Sequence, residues 1–104
     1  MNAVDRLWRA LGHGDWAAMA AQLGPGARIE RPGAGALGAE DYVAWHRAAG
    51  APDAVQRLRA VGDGTIVAHE ANVERGGERF RVLALYDLHD GRVRGGTEVW
   101  TRDG

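Results

Sequence analysis

Cysteine is absent from this sequence. Disulfides, thiolate metal sites and cysteine nucleophiles are therefore excluded. Lysine is absent too, so all 13 basic side chains are arginines, set against 14 acidic residues for a formal net charge of −1. A nucleic-acid surface or a polybasic membrane patch would show a basic excess, and neither partner is expected. No apolar run approaches the roughly 20 residues that cross a bilayer. The first residues, Met1-Asn2-Ala3-Val4-Asp5-Arg6, lack the basic-then-apolar order of a secretion signal. The expectation is a cytoplasmic protein. Its composition, rich in Ala, Gly and Arg, suggests a GC-rich bacterial genome. The four histidines have no metal-ligand spacing, and no glycine run is followed by Lys-Ser or Lys-Thr, so neither a metal nor a nucleotide cofactor is expected.

What is present is an ordinary globular balance, 45% apolar and 26% charged, in 104 residues that suit one domain spanning 1–104. Val4, Leu7, Trp8 and Leu11 form one helical stripe, broken by Gly12-His13-Gly14. Asp15 is a good N-cap for a second helix over Trp16 to Leu23, ended by Gly24-Pro25-Gly26. Ala27 to Arg31 is a short strand closed by Pro32-Gly33-Ala34-Gly35, and Ala39 to Ala49 a third helix with Tyr42, Trp45 and His46 along one side. A meander follows: Ala54–Val61, Thr65–Glu74, Arg79–Leu88 and Arg92–Arg102 read as strands separated by Gly-rich turns. Short connections favour antiparallel neighbours. Alternation puts Val67, His69, Ala71 and Val73 on one face, together with Phe80, Val82, Ala84, Tyr86 and Leu88 of the next strand. Leu83 and Leu85 lie on the opposite face, where helices on one side of the sheet would leave them uncovered, so a homodimer is expected.

The order of elements resembles the SnoaL-like branch of the nuclear transport factor 2-like superfamily. The residues carrying the likeness are Leu7-Trp8-Arg9-Ala10-Leu11-Gly12-His13-Gly14-Asp15-Trp16, Ile29-Glu30-Arg31-Pro32, Leu37-Gly38-Ala39-Glu40-Asp41-Tyr42, Asp90-Gly91-Arg92-Val93 and Thr97-Glu98-Val99-Trp100. The resemblance implies an α+β, cone-shaped, cystatin-like fold, with three N-terminal helices packed on a curved antiparallel sheet. It implies a pocket for a small apolar or aromatic molecule. Relatives include polyketide cyclases, ketosteroid isomerase, limonene epoxide hydrolase and non-catalytic transport or scaffold proteins, so the site must decide the activity.

The ketosteroid isomerase pattern needs an acid before the proline, a tyrosine on the first helix and a protonated acid in the third meander strand. Arg31, Leu7 and Ala84 stand there instead, and none can play the part. The epoxide hydrolase pattern fits in part, since Glu98 occupies the last-strand carboxylate position. His69 faces the same side, and the pair could do acid–base work in a dry cavity. Arg31 could clamp a ligand carboxylate or enolate, or be a solvated strand-end residue. His46, Trp45, Tyr86 and Trp100 are expected to line the pocket. Trp8 and Trp16 are read as helix packing, and His13 and His89 as exposed turn residues. Two functions stay open. One is a cofactor-independent cyclase, isomerase or hydrolase with Glu98, His69 and Arg31 as its catalytic set. The other is a non-catalytic ligand-binding or dimerisation module, the latter with a cavity below the roughly 300 Å³ of ligand sites. A bulge at Gly95-Gly96 would turn Glu98 to the other face.

Overall fold

The computed structural model describes residues 1–103. Helices α1 (Ala3–His13), α2 (Trp16–Ala21) and α3 (Ala39–Ala49) pack on strands β1 (Leu23–Arg31), β2 (Gly35–Gly38), β3 (Ala54–Gly62), β4 (Ile66–Arg75), β5 (Glu78–His89) and β6 (Arg92–Arg102). No helix is long and apolar enough to cross a membrane.

Local chemistry accounts for the helices. Asn2 and Asp5 form a reciprocal capping box, each side chain accepting from the other's backbone N–H at 2.9 Å, which starts α1. Gly14, in the left-handed conformation at φ 66°, ends it. The stripe Val4, Leu7, Trp8 and Leu11 is fully buried. Asp15 caps α2 by accepting from the Ala18 N–H. Helix α3 begins with Glu40 and Asp41 in its first turn, where acids suit the helix dipole, and buries Tyr42, Val43 and His46.

The strand order is β2-β1-β6-β5-β4-β3. Strands β3 to β6 form the antiparallel meander. The sheet as a whole is mixed, because β1 pairs antiparallel with β2 and parallel with β6. This corrects the expectation of a wholly antiparallel sheet. Short loops fix the direction of successive strands only, whereas β1 reaches β6 across the rest of the chain.

Two further segments differ from the sequence reading. Helix α2 stops at Ala21, and Gly24-Pro25-Gly26 lies inside β1. The β1–β6 register shifts between Leu23 and Arg28, an irregularity of the kind that tolerates a proline with no N–H to donate. Gly35 to Gly38 forms a strand of its own, folded back on β1 through Pro32-Gly33-Ala34.

Burial alternates along β4 and β5, with Val67, His69, Ala71, Val73, Val82, Ala84 and Tyr86 all facing the helices. In β6 the bulge falls at Arg94: Leu88 pairs with Val93 and Asp87 with Gly95. Beyond it the ladder runs regularly, with Tyr86 opposite Gly96, Ala84 opposite Glu98 and Val82 opposite Trp100. The bulge therefore keeps Glu98 on the inner face. Gly96 has a steric reason: a Cβ there would lie 2.7 Å from the Tyr86 ring and 2.7 Å from the Leu85 carbonyl.

Candidate functional site

Glu98 is 1% exposed and receives four hydrogen bonds. The hydroxyls of Tyr42 on α3 and Tyr86 on β5 both donate to Oε2 at 2.6 Å. The Trp100 indole donates to Oε1 at 3.0 Å, and Arg31 Nη2 reaches the same oxygen at 3.4 Å. A carboxylate is acceptor-only with about four lone-pair positions, so this donor set matches its capacity. Both phenols are held well above the ordinary range, by burial first and then by the Glu98 charge, and so stay protonated donors. Tyr86 in turn accepts from the Trp8 indole at 3.0 Å, which ties α1 to the same network.

Arg31, at the end of β1, carries its guanidinium carbon 4.0 Å from the Trp45 ring centre and 4.8 Å from that of Trp100. A planar, weakly hydrated guanidinium is suited to such stacking. Its Nη2 also lies 3.2 Å from His46 Nε2, and His46 Nδ1 lies 3.4 Å from Arg75 Nη2. The His46 pKa is pushed down to about 3, by burial first and then by the charges of Arg31 and Arg75, so the imidazole is neutral.

Beside this cluster lies a cavity of about 350 Å³, lined chiefly by Arg31, Trp45, Arg75, Phe80, Glu98 and Trp100. Its volume exceeds the roughly 300 Å³ that marks the lower end of ligand sites. Pro32 and Ala34 of the β1–β2 turn complete one wall. His46 and Tyr86 stand behind the lining, and Trp45 is 44% exposed at the mouth. Among the described residues no group of three or more His, Asp or Glu side chains is arranged to hold a metal ion.

A SnoaL-like domain model matches residues 4–95. The chain belongs to the SnoaL-like family. Solved structures agree on the fold. An NTF2-like protein of unknown function from Burkholderia xenovorans superposes with a TM-score of 0.88 at 19% identity, over 98% of this chain and 82% of that one. An LEH-like epoxide hydrolase of M. tuberculosis gives 0.78 at 24% identity, over 95% and 80% of the chains. A polyketide cyclase candidate from Sinorhizobium meliloti gives 0.78 at 23% identity, over 92% of each. No curated protein matches the sequence.

Within this SnoaL-like chain, His69 sits apart from the cluster. It shares a cross-sheet row with Ala84 and Glu98, two strands from the carboxylate, which is roughly 9–10 Å at ordinary strand spacing. The Trp8 ring stacks on His69 with centroids 4.7 Å apart, and His69 Nε2 accepts from Arg57 Nε at 2.9 Å. No hydrogen bond joins His69 to Glu98 among the described residues; the histidine brought to the Glu98–Arg31 pair is His46. Two members of the cluster escaped the sequence reading as site residues. Tyr42 lies one helical turn before His46, an i, i+4 pair on α3. Arg75 continues the parity of Val67, His69, Ala71 and Val73 to the end of β4, so alternation alone could have found it.

The two buried histidines make stability depend on pH. An unfolded histidine binds its proton near pH 6.5. The folded chain holds it off until about 4 at His69, through burial and then the Arg57 charge, and until about 3 at His46. Below about 6.5 the unfolded state binds more protons, so stability falls as pH drops through that window. The urea midpoint is expected to decline steadily between about pH 7 and pH 5, before most carboxylates titrate. His46→Asn should flatten part of that slope, and an invariant wild-type midpoint would contradict the assignment.

Proposed function

We propose that this SnoaL-like protein binds a small, mostly apolar or aromatic molecule in the cavity between α3, the β1–β2 turn and β6. The observation that carries this reading is the Trp45–Arg31–Trp100 stack beside an opening of about 350 Å³. Flat aromatic walls with a few fixed polar groups are the usual makeup of a small-molecule site. In this reading Glu98 is a positioning residue: it orients Trp100 and Arg31 from below and anchors Tyr42 and Tyr86.

Acid–base catalysis by Glu98, of the cyclase, isomerase or hydrolase kind, is the second reading. Its support is that Glu98 borders the cavity and that Arg31 is the longest of its four contacts, so Oε1 is the oxygen most readily freed. Binding is preferred because both oxygens are fully engaged and the Glu98 side chain is enclosed. Titrating the protein with a panel of small bicyclic aromatics, followed by tryptophan fluorescence, tests the binding reading. At least one is expected to quench saturably, with affinity falling about tenfold in Trp45→Ala, as when an aromatic contact at the mouth of a site is lost. Absence of saturation across the panel, or unchanged affinity in the variant, would count against it.

A second copy of the chain is proposed to cover the outer sheet face, where Leu83 is 53%, Leu85 54% and Val99 42% exposed. Sedimentation should give twice the chain mass, and Leu85→Glu should give one. A wild-type monomer at high concentration would dismiss the dimer without touching the cavity.

A further inference from the structure

Arg31 and Arg75 both border the aromatic cavity, and neither is fully partnered. One imidazole stands between them, Nε2 toward Arg31 and Nδ1 toward Arg75. A neutral imidazole offers one acceptor nitrogen and one N–H. It therefore satisfies one guanidinium and turns a donor toward the other. Negative charge is equally short. Arg31 is 8% exposed, and its carboxylate contact, Glu98, already accepts from three other donors. Arg75 makes no ion pair among the described residues. The acid whose charge acts on it, Asp53, is engaged by the Gly76 N–H at 3.1 Å. The Nε atoms of both arginines are buried without a partner, and Nη1 of each is unused among the described residues.

Two cations thus border a cavity whose one carboxylate, Glu98, pairs only with Arg31 and is already fully committed, and whose apolar walls include Trp45, Phe80 and Trp100. Partly desolvated guanidinium groups with free N–H donors are best satisfied by anionic oxygens, which accept charge-assisted and often bidentate hydrogen bonds. We propose that the occupant of this cavity is a small aromatic or apolar carboxylate. Its carboxylate meets Arg31 and Arg75, and its apolar body lies against Trp45, Phe80 and Trp100. The inference rests on the cavity reading and adds the chemical class of the ligand.

The test compares two probes of nearly equal shape, 2-naphthoate and 2-naphthamide, at pH 7 by tryptophan quenching and calorimetry. Wild-type protein is expected to bind the carboxylate at least about tenfold more tightly, as one charge-assisted hydrogen bond would give. Arg75→Gln should bring the two affinities together by weakening naphthoate alone. Equal wild-type affinities would overturn the carboxylate and leave the cavity reading standing. A full preference surviving in Arg75→Gln would overturn the role of Arg75. Failure of both probes to bind would reject the cavity reading and this inference together. The wild-type comparison needs no variant, so it holds even if Arg75→Gln folds poorly.

Discussion

Glu98→Gln is expected to destabilise the protein by about 3 kcal/mol, the range for breaking a buried ion pair from one side. The substitution keeps the shape and changes the hydrogen-bond arithmetic. Four donors converge on the two oxygens of Glu98. A glutamine presents one oxygen and one NH₂ group. If its oxygen serves Tyr42 and Tyr86, its NH₂ opposes the Trp100 indole and Arg31. If it turns the other way, it opposes two buried hydroxyls. In the first orientation donors face donors, in the second the hydroxyl oxygens can accept but the two phenol protons lose their acceptor, and in both Arg31, almost fully buried, loses its carboxylate. The check is denaturant unfolding at pH 7, where a lower midpoint with an unchanged slope reports a loss of stability. A loss below about 1 kcal/mol, the scale of a single ordinary hydrogen bond, would mean that the carboxylate is not the hub described here.

Trp8→Ala is expected to cost about 3–5 kcal/mol, as large aromatic truncations in cores do. Trp8 is 1% exposed, stacks on His69, lies 6.2 Å from the Trp100 ring centre and donates to Tyr86. Its ring fills the space above the row His69–Ala84–Glu98 that would otherwise be hollow. Trp8→Phe separates the two contributions: it keeps most of the packing and removes the N–H, so about 1 kcal/mol should be lost. Thermal unfolding of the pair measures both, since each kcal/mol moves the midpoint by roughly 4–8 °C in a domain of this size. Similar melting of Trp8→Ala and wild type would mean that the interior beside His69 is loosely packed.

These side chains also show where the sequence was legible. The α1 stripe and the alternation of β4 and β5 follow from helix and strand periodicity, and the buried faces match them. The parallel β1–β6 pairing was not legible, because no local turn records a contact between segments so far apart. Gly24-Pro25-Gly26 reads as a helix stop in isolation, and only the irregular register with β6 makes it part of a strand. Strand parity puts Glu98 and Trp100 on the inner face once the bulge is located at Arg94, whereas the glycines pointed to Gly95-Gly96 and left the face of Glu98 open. Parity also puts His69 on that face, and there it misleads. It says nothing of distance across the sheet, and the depth to which Trp8 enters decides which polar groups can meet. Hence His69 stays with Arg57, while His46, one helical turn after Tyr42, reaches Arg31.

The four tryptophans allow a direct measurement of the central claim, that a ligand occupies the space beside Trp45, Arg31 and Trp100. Nitrogen–proton correlation spectra recorded while 2-naphthoate is added resolve each indole separately. The Trp45 and Trp100 indole signals and the amides of Arg31, Gly33 and Ala34 should shift saturably, while the Trp8 and Trp16 indoles hold their positions. Shifts centred on Trp8 or Trp16, or no saturable shift at all, would contradict the account.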